Sequence, residues 1–227
     1  MCVDTLSVMD EELRSLLDRL RDEAAAGPPD PAADHPTAPD PAAYGPAAPD
    51  LAVYGLAAYD LLVATDDHEA LARVLVEPGR PLWAREIAAF RLGCAGDRRA
   101  FEALVLLLNH RDPERCVSAA HALARLNDPR TPRAAAALAT NTLRTAYAVH
   151  PVRLLTTLRA PEAVPALVAT LQRLLAPGDP HWHVALACVE GLGHLGDPRA
   201  RPVLTAALPH PRLGRAAEEA LGRLPGE

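Results

Sequence analysis

Lysine is absent from this 227-residue chain, and all 23 of its basic residues are arginine. This absence excludes the chemistry that needs a lysine ammonium group, namely Schiff-base catalysis and phosphate binding by a P-loop. Aromatic residues are also scarce, at 4%, whereas the hydrophobic class as a whole reaches 49% and consists mainly of Ala, Leu and Val. Ala and Leu are strong helix formers, while strands favour β-branched and aromatic residues. The composition therefore favours closely packed helices over a sheet.

Cysteine is rare as well, and no CxxC pair is present among Cys2, Cys94, Cys116 and Cys188. A chain of this length needs no disulfide to fold, so we expect reduced thiols. The first residues lack the basic and then apolar pattern of a signal peptide, and no apolar run approaches the roughly 18 residues of a membrane span. We therefore expect a cytoplasmic protein without membrane association. The excess of Arg, Ala and Pro is typical of a bacterial source.

Three zones differ in composition. Residues 1–26 are predicted to form an amphipathic helix, because apolar residues recur at alternating three- and four-residue steps: Leu6, Met9, Leu13, Leu16 and Leu20. Residues 27–50 contain eight prolines and predict an extended linker. We expect this N-terminal apolar stripe to pack on its own domain. The alternatives are that it forms the contact of a dimer or that the helix docks on a partner. The third zone, residues 51–227, carries a net charge of +2, against −8 for residues 1–50.

The third zone repeats itself. Four segments align, and they read FRLGCAGDRRAFEALVLLL from Phe90, HALARLNDPRTPRAAAAL from His121, RLLTTLRAPEAVPALVATL from Arg153 and GLGHLGDPRARPVLTAAL from Gly191. The alignment places Asp97, Asp128, Ala160 and Asp197 at one position, with steps of 31, 32 and 37 residues. Each copy predicts a helix, a short turn and a second helix.

The turn residues have a physical explanation. The Asp can accept hydrogen bonds from the free N–H groups of the second helix, and Pro suits the first helical position. The residue before the Asp suits a left-handed helix end in three copies, at Gly96, Asn127 and Gly196. The third copy has Ala160 in place of Asp, so we expect its turn to lack a side-chain cap. A buried leucine stripe is predicted at Leu92, Leu123, Leu155 and Leu192, with a second row at Leu126, Leu158 and Leu195.

These runs resemble the HEAT repeat, specifically the short bacterial HEAT-like units shared with the bilin lyase family, over residues 51–224. The resemblance implies a right-handed α-solenoid of about five helical hairpins, whose second helices build a concave face. It also implies a non-catalytic scaffold or adaptor that binds a protein or peptide. Two alternatives stay open: a lyase-like enzyme or maturation factor resembling bilin lyases, and a DNA-binding protein resembling HEAT-like DNA glycosylases but lacking their catalytic Trp/Asp pair.

The stretch GLGHLG fits the dinucleotide-binding spacing G-x-G-x-x-G at Gly191, Gly193 and Gly196. A dinucleotide site also needs a strand before the loop and further βα units after it, and neither is predicted. The aligned positions hold Arg91, Gly93 and Gly96 in one copy and Ala122, Ala124 and Asn127 in another, so nothing there requires a phosphate. We therefore expect the three glycines to serve helix packing and a turn, and we expect no cofactor.

Two groups of residues are candidates for partner binding. Arginine exceeds acidic residues between Arg80 and Ala160, which carry a net charge of +7 and include Arg98, Arg99, Arg130 and Arg133. We expect these arginines mainly to pair with Asp between neighbouring repeats as a structural ladder, or to form a solvated surface. An acidic protein partner is the next interpretation, ahead of nucleic acid. The second group lies in the inserted loop PGDPHWH and comprises His181, Trp182 and His183. Together with Cys188 and His194 these histidines could ligate zinc, but their spacing disfavours a metal site.

Overall fold

The computed structural model describes residues 14, 16–26, 55–77 and 79–225, and these residues form helices joined by turns and short loops without any β-strand. The prediction of an all-α fold is confirmed. Leu6, Met9 and Leu13 of the N-terminal stripe, and the proline-rich stretch 27–50, lie outside the described residues. The division into residues 1–26, 27–50 and 51–227 stays a prediction.

The chain divides into two compact units, residues 1–104 (unit 1) and 105–227 (unit 2). Unit 1 contains a helix over residues 16–25, which we label α1, and α4 packs against both α2 and α3. Its other helices are α2 (Leu56–Ala64), α3 (His68–Val76), α4 (Leu82–Cys94), a 3₁₀ turn (Arg98–Ala100) and the first half of α5 (Phe101–Leu108).

Unit 2 stacks helical hairpins in two layers. Its helices are α6 (Pro113–Leu126), α7 (Thr131–Thr140), α8 (Val149–Leu158), α9 (Ala163–Leu174), α10 (Trp182–Leu195), α11 (Arg201–Ala207) and α12 (Gly214–Arg223), with 3₁₀ turns at Thr142–Tyr147 and Pro198–Ala200. In one layer α8 packs between α6 and α10, and α10 packs between α8 and α12; in the other α9 contacts α7 and α11. Each repeat therefore contacts its sequence neighbours, as in an α-solenoid.

Unit 2 has two distinct edges, because successive helices run in opposite directions. The turns inside the hairpins form one edge, which we call the turn edge (residues 127–133, 159–163 and 196–201). The connections between hairpins, with the residues that begin the next helix, form the opposite edge, which we call the loop edge (residues 141–150, 175–183 and 208–213).

The turns adopt the predicted backbone. Asn127 ends α6 at φ 50°, and Gly196 ends α10 at φ 69°, so both lie in the left-handed region. The third copy has Arg159 at this position, also at φ 50°, although residues other than glycine seldom adopt the left-handed region. The arginine side chain has a partner here, because the Arg159 Nη2 donates to the His194 carbonyl 3.3 Å away, at the C-terminal end of α10.

The predicted leucine stripe is confirmed for its first row, since Leu92, Leu123, Leu155 and Leu192 are all fully buried. The second row is less uniform: Leu126 is buried, whereas Leu158 and Leu195 are only half-buried.

Gly191 and Gly193 lie inside α10 at close contacts between helices. A Cβ atom added at Gly193 would lie 2.8 Å from the Cα atom of Ala220 in α12, and one at Gly191 would meet the Thr156 hydroxyl of α8. Only a residue without a side chain fits there, so these glycines serve helix packing, as predicted. No helix in the described parts of the chain is both long enough and apolar enough to cross a bilayer.

Candidate partner-binding surfaces

Three of the four aligned repeat turns share one ion-pair geometry, in which Asp97, Asp128 and Asp197 pair with the arginine two residues on. In the second turn the carboxylate of Asp128, which is only 3% exposed, accepts a hydrogen bond of 2.9 Å from the Arg130 backbone N–H. The Arg130 side chain returns to the same carboxylate through Nε and Nη2, each at 3.0 Å. Asp197 and Arg199 repeat this arrangement, with an Nη2–Oδ2 distance of 2.7 Å. In each of these turns the arginine therefore forms an ion pair with the aspartate that caps the same turn.

The first turn adds a contact with the preceding helical pair. Arg99 pairs with Asp97 through Nη2 at 2.7 Å, and its Nη1 donates to the Glu69 carboxylate of α3, also at 2.7 Å. The hydrogen bond from Arg99 is the main reason why the pKa of Asp97 is lowered. Asp97, Asp128 and Asp197 each pair with the arginine two residues on. Contacts of the ladder kind also occur in unit 1, where Arg91 Nη2 donates to Asp66 Oδ1 at 2.7 Å and Arg99 reaches Glu69, so local pairs and pairs between neighbouring repeats coexist.

The four candidate arginines fall in different units. Arg98 and Arg99 belong to unit 1, while Arg130 and Arg133 belong to unit 2, and all four side chains are exposed. Arg99 and Arg130 have their charge balanced by the Asp of their own turn. Their role in partner binding stays a prediction, and this pairing weakens it for these two residues.

The inserted loop is anchored by Asp179. Its carboxylate accepts a hydrogen bond of 2.8 Å from the His181 backbone N–H and lies 3.0 Å from the His181 ring Nδ1. Burial alone would raise the pKa of Asp179, but the hydrogen bonds from His181 outweigh it and lower the pKa. These contacts join the end of the loop to His181, the residue that precedes α10.

Trp182 begins α10 and remains 37% exposed. The Arg212 guanidinium lies 4.8 Å from the centre of its ring, and the His183 ring meets it edge-on at 6.1 Å. Arg212 comes from the loop before α12, and its backbone N–H donates to His210 Nδ1 at 3.2 Å. The loop edge thus brings together all three candidates of the inserted loop and adds Arg212.

Sequence reasoning missed Arg212, although a signal was present. The loops that precede α10 and α12 read DPHWH and LPHPR, so both carry a Pro-His pair before the first helix of a repeat. Comparing the loops between hairpins would have identified Arg212 as a residue of the equivalent loop, although not its contact with Trp182.

A second cation–ring pair lies along the same edge. The Arg144 guanidinium is 4.6 Å from the centre of the Tyr147 ring, and its Nη2 donates to the Asn109 carbonyl at 2.5 Å. Beside it, Leu143 is 91% exposed. Arg173 Nη1 donates to the Thr145 hydroxyl at 3.1 Å and fixes this loop on α9.

The candidate zinc ligands do not converge. His181 and His194 lie at opposite ends of α10, about 20 Å apart along a helix that rises about 1.5 Å per residue. Burial raises the pKa of the Cys188 thiol to about 12, which opposes the thiolate form that zinc requires. Within residues 16–26, 55–77 and 79–225, no three His, Cys, Asp or Glu side chains are arranged to hold a metal ion.

Residues 144–222, which lie within unit 2, match the family model of HEAT repeats. Among curated proteins, none matches the chain. The resemblance seen in the sequence is therefore confirmed over the segment that carries α8 to α12. HEAT repeats are in general protein-interaction scaffolds, so the exposed surface of this segment is a candidate for protein binding.

Proposed function

We propose that this HEAT-repeat protein is a non-catalytic scaffold or adaptor, and that the loop edge of unit 2 binds a protein or peptide partner with acidic residues. The observation that carries the proposal is the exposed Trp182 ring beneath the Arg212 guanidinium. Tryptophan and arginine are the residues that most often dominate the binding energy of protein interfaces.

The charge of the loop edge supports an acidic partner. Arg144 and Arg212 lie against aromatic rings rather than carboxylates, so their positive charge is not cancelled as in the Asp–Arg turns. Asp179 is the single acidic side chain among residues 141–150, 175–183 and 208–213, and it is engaged by His181. A carboxylate from a partner could therefore approach the edge without strong repulsion.

The edge also offers apolar surface. The Trp182 ring and the Leu143 side chain would both lose contact with water under a partner. Neither residue is needed to close a hairpin, so their exposure has no evident role within the fold. The concave face implied by the family resemblance remains the other candidate surface of this segment, and Trp182 lies off the second helices that would build it.

The test is affinity purification from the source organism with mass spectrometry, followed by binding measurements with the purified partner. Trp182→Ala and Arg212→Glu should each weaken binding at least about tenfold, as expected for central interface residues. Arg223→Glu, an exposed charge reversal in α12, is the matched control and should leave affinity unchanged. If all three variants retain the partner equally, the loop edge is not the binding surface.

The charge of the partner is tested separately. Binding to an acidic surface should weaken as salt rises from 50 to about 500 mM, since exposed charges are screened within roughly one Debye length. Salt-dependent retention on duplex DNA, lost in Arg212→Glu, would instead favour the DNA-binding alternative.

A further inference from the structure

The four connections between hairpins among residues 105–225 share one local contact. In each of them a side chain accepts a hydrogen bond from the backbone N–H two residues ahead, which closes a small turn before the next repeat begins. The acceptor and donor residues are His110 and Asp112, Asn141 and Leu143, Asp179 and His181, and His210 and Arg212, at 3.0, 3.0, 2.8 and 3.2 Å respectively.

These acceptors respond differently to acid. The amide oxygen of Asn141 and the carboxylate of Asp179 remain acceptors in mild acid. An imidazole accepts through Nδ1 only while that nitrogen carries no proton, because both ring nitrogens of a charged histidine are donors. A backbone N–H can only donate, so the contact holds His210 as the neutral ring with its proton on Nε2. Histidine is the side chain that gains a proton between roughly pH 5 and 8, so a histidine turn can lose its acceptor where the other two turns keep theirs.

The turn at His210 carries the arginine of the proposed binding surface. Arg212, whose N–H the imidazole holds, places its guanidinium 4.8 Å from the centre of the Trp182 ring. The His210 carbonyl also accepts hydrogen bonds from the N–H groups of Leu213 and Gly214, at 3.1 and 2.9 Å, and Leu213 is fully buried. These two bonds anchor the start of α12 independently of the ring. The Nδ1 contact therefore acts on the placement of Arg212 rather than on the helix.

We propose that His210 is a positioning residue of the loop edge: its neutral ring holds the turn that places Arg212 over Trp182, and a proton on Nδ1 releases Arg212 in mild acid. The proton comes from water and converts the acceptor into a donor that faces the Arg212 N–H. It also sets a positive charge two residues from the guanidinium, and both effects oppose the closed turn. The inference rests on the proposed function for its consequence, which is that the binding surface is intact near neutral pH and loosened below it.

Other charged and titratable groups lie on the elements packed around this turn. Asp179 is engaged by His181, and Arg215 pairs with Glu219 at 3.1 Å. Chains that differ only at residue 210 keep all of these groups, so a comparison between them isolates the proton on His210. The groups are Asp179, His181 and His183 at the start of α10, Arg173 in α9, and Arg215 and Glu219 in α12.

The test is NMR spectroscopy of the full-length chain at about pH 7.5 and about pH 5.5, the range in which histidine changes charge. The ring current of Trp182 shifts the Arg212 side-chain protons upfield while the guanidinium lies over the ring, and Trp182→Leu defines the shift without a ring. His210→Asn supplies an acceptor that does not titrate, as Asn141 does in its own turn. His210→Ala removes the acceptor at every pH, and circular dichroism establishes that each variant folds.

The wild-type and His210→Asn chains should show the same upfield shift near neutral pH. In acid the ratio of stacked to released Arg212 should fall about threefold to tenfold in the wild-type chain, as expected for the loss of one hydrogen bond, and stay constant in His210→Asn. His210→Ala should show the reduced shift at both pH values. His183→Asn, a change at the histidine that meets the same ring edge-on, is the matched control and should keep the wild-type pH dependence.

Three results would overturn the proposal. The first is a wild-type shift in His210→Ala near neutral pH, because the imidazole would then position nothing. The second is a shift in the wild-type chain that acid leaves unchanged, or one that changes equally in His210→Asn. The third is a pH dependence that His183→Asn abolishes, which would assign it to His183.

These measurements need no partner, so they are independent of the proposed function. If they succeed while Trp182→Ala leaves partner affinity unchanged, the proposed function fails and the positioning role of His210 stands. If they fail while Trp182→Ala weakens binding, the loop edge remains the binding surface without this pH response. If His210→Ala does not fold, the comparison of wild-type and His210→Asn chains still decides the proposal.

Discussion

The two edges of unit 2 treat their arginines in opposite ways. On the turn edge Arg130 and Arg199 point back at the Asp of their own turn, two residues away, so charge and cap are satisfied locally. On the loop edge Arg144 and Arg212 lie over aromatic rings, and Trp182 stays partly exposed. The same helices thus present one edge that closes the hairpins and another that leaves rings and cations available. Under the proposed function, the turn edge contributes to stability and the loop edge to recognition.

The largest effect on stability is expected at the turn edge, from Asp128→Ala. The change removes the acceptor for the Arg130 backbone N–H and leaves the guanidinium without its carboxylate. We expect a loss of about 2 kcal/mol in the free energy of unfolding, measured by urea denaturation, with partner affinity unchanged.

Asp179→Ala on the loop edge makes the comparison quantitative. The Asp179 carboxylate also accepts a hydrogen bond from a backbone N–H, that of His181. When the carboxylate is removed, water can reach this N–H, whereas at Asp128 the N–H would stay buried without an acceptor. A loss below about 1 kcal/mol is expected. If the two variants lose equal free energy of unfolding, the two edges do not differ in their contribution to stability.

The turn edge could be predicted from the sequence because its physics is local. Asp97, Asp128 and Asp197 accept the backbone N–H two residues ahead, and Gly96, Asn127 and Gly196 adopt the left-handed region. Residue type at fixed spacing is sufficient for such contacts. The repeat register placed every one of these turns.

The loop edge could not be predicted in the same way. Arg212 and Trp182 are 30 residues apart and meet only because α10 and α12 stack side by side. Even the partner of the turn arginine was uncertain, because Arg130 could have reached either its own Asp or a neighbouring repeat. Side-chain direction, which the register leaves undetermined, decides between them.

Gly196→Ala tests the backbone of the turn edge. Gly196 has φ 69°, where a Cβ atom is strained although space is open around it, so we expect a loss of about 1 kcal/mol. Gly222→Ala in α12 is the control of opposite sign, because this glycine is helical with open space at its Cβ position and Ala is the better helix former. Equal thermal midpoints for the two variants would contradict this assignment.

The third turn allows the Asp–Arg pair to be built rather than removed. It has Ala160 and Glu162 where the other turns have Asp and Arg, and Glu162 makes no side-chain cap for α9. Ala160→Asp alone should gain little, since it sets two carboxylates two residues apart. Ala160→Asp with Glu162→Arg should raise the free energy of unfolding by about 1 kcal/mol, through the restored cap and ion pair. A single variant as stable as the double would show that the arginine contributes nothing.

The last prediction concerns His150, at the start of α8 on the loop edge. Burial, with a further contribution from Arg153, lowers its pKa from 6.5 to about 4. Between pH 6.5 and about 4 the unfolded chain binds a proton that the folded chain does not, so stability falls as pH falls through this window. His150→Gln removes this proton uptake, and its thermal midpoint should decline less steeply from pH 6.5 to 4 than that of the wild-type chain. If the His150→Gln variant keeps the wild-type slope, the loss of stability in acid does not arise from His150.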